Sequence, residues 1–248
     1  MSLRLLSIVM AATVCTVAIA GGNTEIVSFN QAKHLLEKKV YKDHRVTFYC
    51  QAPFDDKKNI NLPAGFTTPK HNKRAHRVEW EHVVPAENFG RAFVEWREGD
   101  EKCVDNKGKP FKGRKCAEKA NETFRLMQAD MYNLYPAIGA VNALRSNYRY
   151  SLLPTSPVTF GTCPMKIDGN RVEPPEYTRG VIARTTLYMA EVYPQYRLSS
   201  ADRKLMEAWN KMYPVDKWEC LRAERIEKIQ KNENTFVKDA CRNAGLSN

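Results

Sequence analysis

The chain has 248 residues, of which 43% are hydrophobic, so it can form one sizeable core or two small lobes and is not too polar to fold. Lysine and arginine number 39 against 28 aspartates and glutamates, which gives a formal charge of +11. A charge of this sign favours nucleic acid or an anionic surface as partner. It is equally compatible with a merely soluble basic protein, and it does not define the fold.

Residues 1–20 have the features of a secretory signal. Arg4 gives a positive start, residues 5–19 are apolar, and Ala18-Ile-Ala20 has the small-x-small form of a cleavage site. The apolar stretch is too short for a membrane anchor, and no later run is long and apolar enough to span a bilayer. We therefore expect cleavage after Ala20, one mature domain over residues 21–248, no membrane association after cleavage, and a periplasmic or secreted location.

The first half of the mature chain predicts one helix and a strand-like segment between loops. Ser28 is a suitable N-cap for a helix with Phe29, Ala32, Leu36 and Val40 on one face. A β-rich stretch at Val46–Cys50 and a loop over 51–75 follow. Residues 76–84 are strand-like as far as His82, and residues 97–121 are expected to form a charged loop.

The second half predicts mainly helices. One covers Glu122–Leu134, and Pro136 is expected to open another with Ile138, Val141 and Leu144 as its apolar stripe. Three more helical patterns cover about 178–193, 200–213 and 216–231, and Ser200 and Asp216 are the N-caps expected for the last two. The expected fold class is α+β, a mixed, helix-rich single domain in which a small β element carries the site.

The cysteine count agrees with export. Cleavage of the signal would remove one of the seven cysteines, and an even number in an exported chain indicates disulfides, although six cysteines allow fifteen pairings. A local Cys103–Cys116 pair is expected because the Gly/Lys-rich segment between them lacks apolar periodicity. No Cys-x-x-Cys pair is present, which argues against a zinc ribbon. The six cysteines are Cys50, Cys103, Cys116, Cys163, Cys220 and Cys241.

The strongest chemical signal is the run Glu79–Gly90, in which Glu81 and His82 are adjacent. Phosphodiester hydrolysis needs a base for the attacking water and a cation for the phosphate. His82 is the candidate base, since its ordinary pKa is close to neutral pH. Glu81 is the candidate metal ligand, and Asn142 offers a second, neutral oxygen that suits Mg²⁺. Each also has a structural interpretation, because histidines are mostly structural and a Glu-His neighbour pair is by itself a weak signal.

Several further stretches carry a resemblance to a known family. Together with Glu79–Gly90, the chain resembles the bacterial endonuclease I family of periplasmic or secreted non-specific nucleases over nearly the whole mature length. The stretches, in order, are Phe124–Asp130 with Asn133–Pro136, Ala137–Asn142, Arg145–Asn147, Gly180–Arg184 with Leu187–Met189, Ala208–Asn210 with Tyr213–Asp216, and Ile229–Asn232 with Phe236.

The resemblance implies a ββα-metal (His-Me finger) site inside the mixed fold. It implies His82 as general base and one Mg²⁺ held by Glu81 and Asn142, with Mn²⁺ or Ca²⁺ as alternative occupants. The implied reaction cleaves DNA, and often RNA, to 5′-phosphate and 3′-hydroxyl ends, and we expect a monomer. Arg114 is the arginine expected near the scissile phosphate. Gln128 stands where family members commonly carry glutamate, so it could bind a metal water but would add no negative charge.

Two basic clusters flank the candidate site in the sequence. One includes Arg74 and Arg77, and the other includes Lys112 and Lys115 beside Arg114. Such charge suits sequence-independent contact with phosphates, and we find no base-reading motif. The alternative is two solvated loops.

Two other functions remain open from the residues. His71 and His76 could join His82 and Glu81 in a zinc site, although their spacing does not match a His-Glu-x-x-His helix. The chain could also be an exported basic protein that binds or takes up nucleic acid without catalysis. A chelator-sensitive cleavage assay would separate catalysis from binding.

Overall fold

The computed structural model describes residues 21–246, so the predicted signal and its cleavage site lie outside the described residues. Helices form most of the regular structure. They are α1 Phe29–Leu35, α2 Asn72–Ala75, α3 Ala86–Gly90, α4 Val94–Arg97, α5 Arg114–Ala120, α6 Glu122–Gln128, α7 Gly139–Arg145, α8 Arg179–Val192, α9 Ser200–Met212, α10 Lys217–Gln230 and α11 Thr235–Asn243. None of these helices has the length and apolar composition that crossing a membrane requires.

Two small sheets complete the fold, which is therefore a mixed helix-and-sheet domain of the α+β class. In the first, β1 Val78–His82 pairs antiparallel with β2 Leu134–Ile138, and Glu81 lies opposite Tyr135. In the second, the strand order is β3-β5-β4, with β3 parallel and β4 antiparallel to β5. Their bounds are β3 Arg149–Tyr150, β4 Lys166–Asp168 and β5 Arg171–Glu173.

The N-terminal helix forms as its sequence predicts. The Ser28 hydroxyl accepts a hydrogen bond from the Gln31 N–H and thereby caps α1. Ala32, Leu36 and Val40 are all fully buried. The helix continues through one π turn over Leu36–Val40, which keeps this apolar face against the core.

The prediction that Pro136 opens a helix is wrong. Pro136 lies in the middle of β2, every residue of which is buried, and α7 begins only at Gly139. Pro136 stands opposite Trp80, at a position of the antiparallel ladder where an N–H would point away from β1, so the missing donor costs no ladder hydrogen bond. Of the predicted apolar stripe, Ile138 belongs to β2, whereas Val141 and Leu144 lie in α7.

Three other boundaries differ from the predictions. Val46–Cys50 is not a strand, because it makes one isolated bridge, from Val46 to Pro53, and then turns. The charged segment 97–121 contains helix α5, which the lysines and arginines concealed. The helix expected over Glu122–Leu134 ends at Gln128, and a short 3-10 turn, Met131–Asn133, leads into β2.

The C-terminal helices follow their apolar patterns closely. Asp216 caps α10 as predicted, whereas α9 is capped by Ser199 and not by Ser200. Helix α11 was not predicted. The Cys220–Cys241 disulfide ties it to α10, and buried Val237 packs beside this bridge.

The structure pairs all six cysteines of residues 21–246. The predicted Cys103–Cys116 bridge is present and closes the charged segment before α5. Cys50–Cys163 joins the turn before residue 51 to the segment leading into β4. This bridge spans 113 residues of sequence, a separation that no local pattern could have revealed.

Helix α10 fixes β2 from behind. The buried Arg222 guanidinium donates to the carbonyl oxygens of Met131 and Leu134 and to the hydroxyls of Tyr41 and Tyr135. Because these contacts use the backbone at the start of β2, they set the position of the strand pair that carries the candidate site.

Candidate active site

A cleft of about 760 Å³ runs along the edge of β1 that has no strand partner. All five residues of β1 line it. Consecutive side chains of a strand point to opposite faces, which would separate Glu81 from His82 on a covered strand. At an open edge both faces can contribute, so the two predicted residues meet in one cleft.

His82 is held by its backbone surroundings in one tautomer. Its Nε2 lies 2.9 Å from the carbonyl oxygen of Gln128. A carbonyl only accepts, so Nε2 carries the hydrogen and Nδ1 keeps its lone pair. Within residues 21–246, Nδ1 has no hydrogen-bond partner. The imidazole also packs against Phe29, with 4.8 Å between ring centroids.

The sequence suggested a near-neutral pKa for His82, and the structure gives a lower one. Burial, reinforced by the nearby Arg114 guanidinium, lowers the pKa of His82 to about 3. The ring is only 7% exposed. His82 is therefore neutral at physiological pH, which is the state in which an imidazole can accept a proton.

Glu81 is buried but only partly satisfied. Its Oε1 accepts from the Tyr49 hydroxyl at 3.0 Å and lies 3.2 Å from Nη1 of Arg145. Its Oε2 makes no hydrogen bond to any described residue. Burial raises the pKa of Glu81 to about 7 in spite of the Arg145 charge.

Arg145 also fixes the end of β1. Its guanidinium donates to the carbonyl oxygens of His82, at 2.9 Å, and Val83. One buried arginine on α7 thus holds both the Glu81 carboxylate and the main chain of His82. No role for Arg145 was predicted from sequence, because these contacts link positions more than 60 residues apart.

Asn142 is oriented by Glu79. The Asn142 Nδ2 donates to Glu79 Oε2 at 2.8 Å, and Arg74 donates to both oxygens of the same carboxylate. An ionised carboxylate only accepts, so the amide nitrogen must face Glu79, and the oxygen of Asn142 is left for another partner. The structure adds Glu79 as an orienting residue that was missed from sequence.

Gln128 connects His82 with Arg114. Its backbone oxygen accepts from His82, and its Oε1 accepts from Nε of Arg114 at 3.1 Å. The side chain is fully buried behind the cleft wall, whereas Arg114 lines the cleft. Arg114 lies with its Cζ 5.0 Å from the Phe29 ring, and its Nη2 is buried without a partner among the described residues.

Two oxygens in the cleft suit a hard divalent cation. Glu81 Oε2 and the Asn142 side-chain oxygen both belong to residues that line the cleft, and neither is used by another described residue. A carboxylate and an amide oxygen, completed by waters and substrate oxygens, are the donors that Mg²⁺ prefers. Over residues 21–246 no group of three or more His, Cys, Asp or Glu side chains is placed to hold a metal.

The predicted basic residues divide into two sets. Arg74 lines the cleft, but its charge is engaged by Glu79. Arg77, Lys112 and Lys115 are exposed and lie outside the cleft lining.

Two cations that line the cleft were missed, Lys33 and Lys58. Lys33 follows Phe29 by one helical turn, so the same periodicity that predicted α1 could have indicated its direction. Lys58 lies in an irregular loop and had no such signal.

A neutral imidazole and an incompletely bonded carboxylate, beside the Lys33 and Arg114 side chains that also line the cleft, suit the hydrolysis of an anionic substrate. Comparison with known proteins gives the same class. The family model described as Endonuclease I matches residues 25–241. The chain belongs to the endonuclease I family.

Curated relatives align over most of their own length. The chain is 42% identical to an extracellular deoxyribonuclease of Aeromonas hydrophila over 86% of this chain and 90% of the relative. It is 44% identical to a periplasmic deoxyribonuclease of the same organism, over 82% of each chain. It is 40% identical to Endonuclease-1 of Buchnera aphidicola, over 87% of this chain and 82% of the relative.

Proposed function

We propose that the protein is a sequence-non-specific endonuclease that hydrolyses DNA, and also RNA, to 5′-phosphate and 3′-hydroxyl ends. The observation that carries the proposal is the arrangement of His82 in the cleft, where its Nε2 donates to the Gln128 carbonyl, its Nδ1 has no partner among the described residues, and Glu81 lines the same cleft. The names of the relatives, which are deoxyribonucleases and an endonuclease, support the same activity.

His82 acts as general base in this proposal. Nδ1 takes a proton from the attacking water, and the Gln128 carbonyl keeps the ring in position and stabilises the imidazolium that forms. Burial, with the nearby Arg114 guanidinium, keeps the pKa of His82 low, so the ring is neutral and the lone pair of Nδ1 is available for the proton.

Glu81 and Asn142 would hold one Mg²⁺, or Mn²⁺ or Ca²⁺ in its place. When bound, the cation supplies Lewis-acid stabilisation of the charge on the phosphate. The order β1, β2, α7 along the chain supports an assignment as a ββα-metal motif, with Glu81 and His82 on its first strand and Asn142 on its helix. Glu79 acts as a positioning residue for Asn142.

Arg114 contacts the scissile phosphate in this proposal. Its unpartnered Nη2 is the donor available for a phosphate oxygen, while its Nε is fixed by Gln128. Gln128 lies outside the cleft lining, so we assign it to positioning Arg114 and His82 and not to binding a metal water. Lys33 and Arg114 then contact the phosphate backbone without reading bases.

The protein works in the periplasm or after secretion, as a monomer. The location is supported by the names of two relatives, an extracellular and a periplasmic deoxyribonuclease. Three disulfides support an oxidising compartment.

The proposal is tested with plasmid DNA and RNA, with Mg²⁺ and with excess chelator. His82→Ala should lose about 10²–10⁴-fold in rate, the usual contribution of a general base, while DNA affinity in chelator stays within a few-fold. The matched control is His76→Ala, an exposed histidine outside the cleft lining. Binding without cleavage by the wild type would favour the alternative, a non-catalytic nucleic-acid-binding protein.

A further inference from the structure

A second cleft, of about 470 Å³, adjoins the active-site cleft. The two share Pro85 and Asn147 as lining residues. Arg145 also lines the second cleft, and its guanidinium donates to the carbonyl of His82 at 2.9 Å. One layer of side chain thus separates this cleft from the main chain of the candidate base.

The second cleft carries cations without partners. Arg149 and Arg197 line it and are exposed, and neither has an acidic group within 4 Å among residues 21–246. Arg91 lines it too, but Glu87 neutralises that charge. The one carboxylate of the lining, Asp202, accepts from the Ser199 hydroxyl. Free guanidinium groups favour an anionic ligand.

Buried polar groups of the second cleft also lack partners. Thr186 is 4% exposed and Arg145 is 1% exposed. Thr186 Oγ1 and Arg145 Nε are both buried with no hydrogen-bond partner among the described residues. A buried polar group without a partner is costly and therefore rare in native proteins. Both residues line the second cleft, where a ligand bearing hydrogen-bonding oxygens can supply the missing bonds.

Tyrosines complete the lining. Tyr148, Tyr150 and Tyr196 are half-buried there. The Tyr150 ring is fixed, because Arg145 lies over it with its Cζ 4.7 Å from the ring centroid, and because its hydroxyl contacts that of Tyr49. Half-buried aromatic rings beside arginines are the combination on which sugars and bases of single-stranded nucleic acid stack.

We propose that the second cleft binds the sugar–phosphate backbone of the substrate strand adjacent to the scissile phosphate, with Arg149 and Arg197 on its phosphates. The inference rests on the proposed function and deepens it, because it names where the strand runs after leaving the active-site cleft. The ligand class is a phosphodiester-linked nucleotide segment, and the shared Pro85–Asn147 wall gives its point of entry.

The test measures affinity as a function of substrate length. Fluorescein-labelled oligodeoxynucleotides of two to ten nucleotides are titrated in excess chelator, so that binding is read without cleavage. The double variant Arg149→Gln/Arg197→Gln is compared with Lys42→Gln/Lys211→Gln. These control lysines are exposed, line neither cleft and have no acidic partner among the described residues, and the charge change is identical.

We expect wild type and control to gain affinity as the oligonucleotide is lengthened. The arginine variant should lose most of that gain, so that it binds the longest oligonucleotide roughly 10- to 100-fold more weakly, as for the loss of charged hydrogen bonds. Its salt dependence should fall by about 0.7 in log–log slope for each phosphate of a single strand that the variant no longer neutralises. A third variant, Thr186→Val, keeps the shape and removes the unpartnered hydroxyl, and should lose a smaller part of the same gain.

The cleft proposal is overturned if the arginine variant and the lysine control have the same length profile and salt slope. It is also overturned if wild-type affinity does not change with length. Because the readout is binding in chelator, neither result depends on catalysis. A protein that shows the length effect but fails to cleave plasmid would contradict the nuclease proposal and leave this cleft as a nucleic-acid site.

Discussion

In the described part of the chain, two arginine–carboxylate pairs are almost completely buried, and they differ in how the carboxylate is used. In Arg184–Glu219, both oxygens of Glu219 accept from the guanidinium, at 2.7 and 2.6 Å. In Arg145–Glu81, one oxygen lies 3.2 Å from the guanidinium, and the other has no partner among the described residues. The side chains of both pairs are at most 5% exposed.

Under the proposed function, this difference separates a structural buried charge from a functional one. A bidentate pair satisfies the donors and acceptors on both sides, so Glu219 has no remaining capacity for a ligand. Arg145 directs most of its donors to main-chain oxygens, which leaves Glu81 with a free oxygen in the cleft. Burial alone does not distinguish the two carboxylates. The oxygen of Glu81 that lacks a hydrogen-bond partner does distinguish them.

The largest expected effect comes from Glu81→Gln. The amide cannot replace an anionic ligand, so cleavage should slow by about three orders of magnitude, the equivalent of several kcal/mol of transition-state stabilisation. Stability should fall less than on loss of Glu219, because only one oxygen of Glu81 approaches the Arg145 guanidinium and Arg145 keeps its hydrogen bonds to the carbonyl oxygens of His82 and Val83. Initial rates with supercoiled plasmid and thermal melts measure the two effects. A rate within tenfold of wild type would refute the role of Glu81.

Glu219→Gln should do the reverse. Losing one partner of a buried pair leaves the Arg184 charge uncompensated, which costs about 3–5 kcal/mol. For a chain of this size Tm should fall by roughly 10 °C. The variant that remains folded at low temperature should cleave at close to the wild-type rate, since Glu219 lines a different part of the molecule from the active-site cleft. Each variant is the control for the other. If both variants lost the same fraction of cleavage rate and of Tm, the distinction between the two pairs would be refuted.

The sequence offered Glu81, His82 and Asn142 because hydrolysis needs their chemistry and their flanking residues resemble a family. Their roles stay predictions, and the structure shows that all three line one cleft. Arg145 and Tyr49 were missed because their contacts with Glu81 join distant parts of the chain. Local pattern carries no information about such pairs.

The same limit explains the errors in the fold. A residue pattern predicted α1 and α8 to α10, whose apolar faces repeat with the helical period. Pro136 was assigned to a helix because β2 is buried throughout and so shows no strand alternation. Gln128 was expected at the metal, but only the folded chain reveals that its backbone carbonyl holds His82 while its side chain lies behind the cleft wall.

A further arginine–carboxylate pair, Arg74–Glu79, lies at the cleft, is partly exposed, and gives the smallest expected effect. Gly139 begins α7 against it. A Cβ at position 139 would lie 2.5 Å from the Arg74 carbonyl oxygen and 2.8 Å from Glu79 Oε1. Gly139→Ala must therefore shift the main chain at Arg74 as well as the Glu79 carboxylate, and Asn142, which Glu79 orients, should move with them. We expect about tenfold weaker apparent Mg²⁺ affinity, the usual scale for a disturbed residue behind a metal ligand.

The measurement is the Mg²⁺ concentration for half-maximal cleavage, with Gly21→Ala as control because a Cβ there meets nothing within 4 Å. Saturating Mg²⁺ should restore most of the rate, since His82 and Gln128 are untouched by the change. A variant with the wild-type Mg²⁺ requirement would show that Glu79 does not orient Asn142. A rate loss that Mg²⁺ cannot restore would instead place the damage at the base.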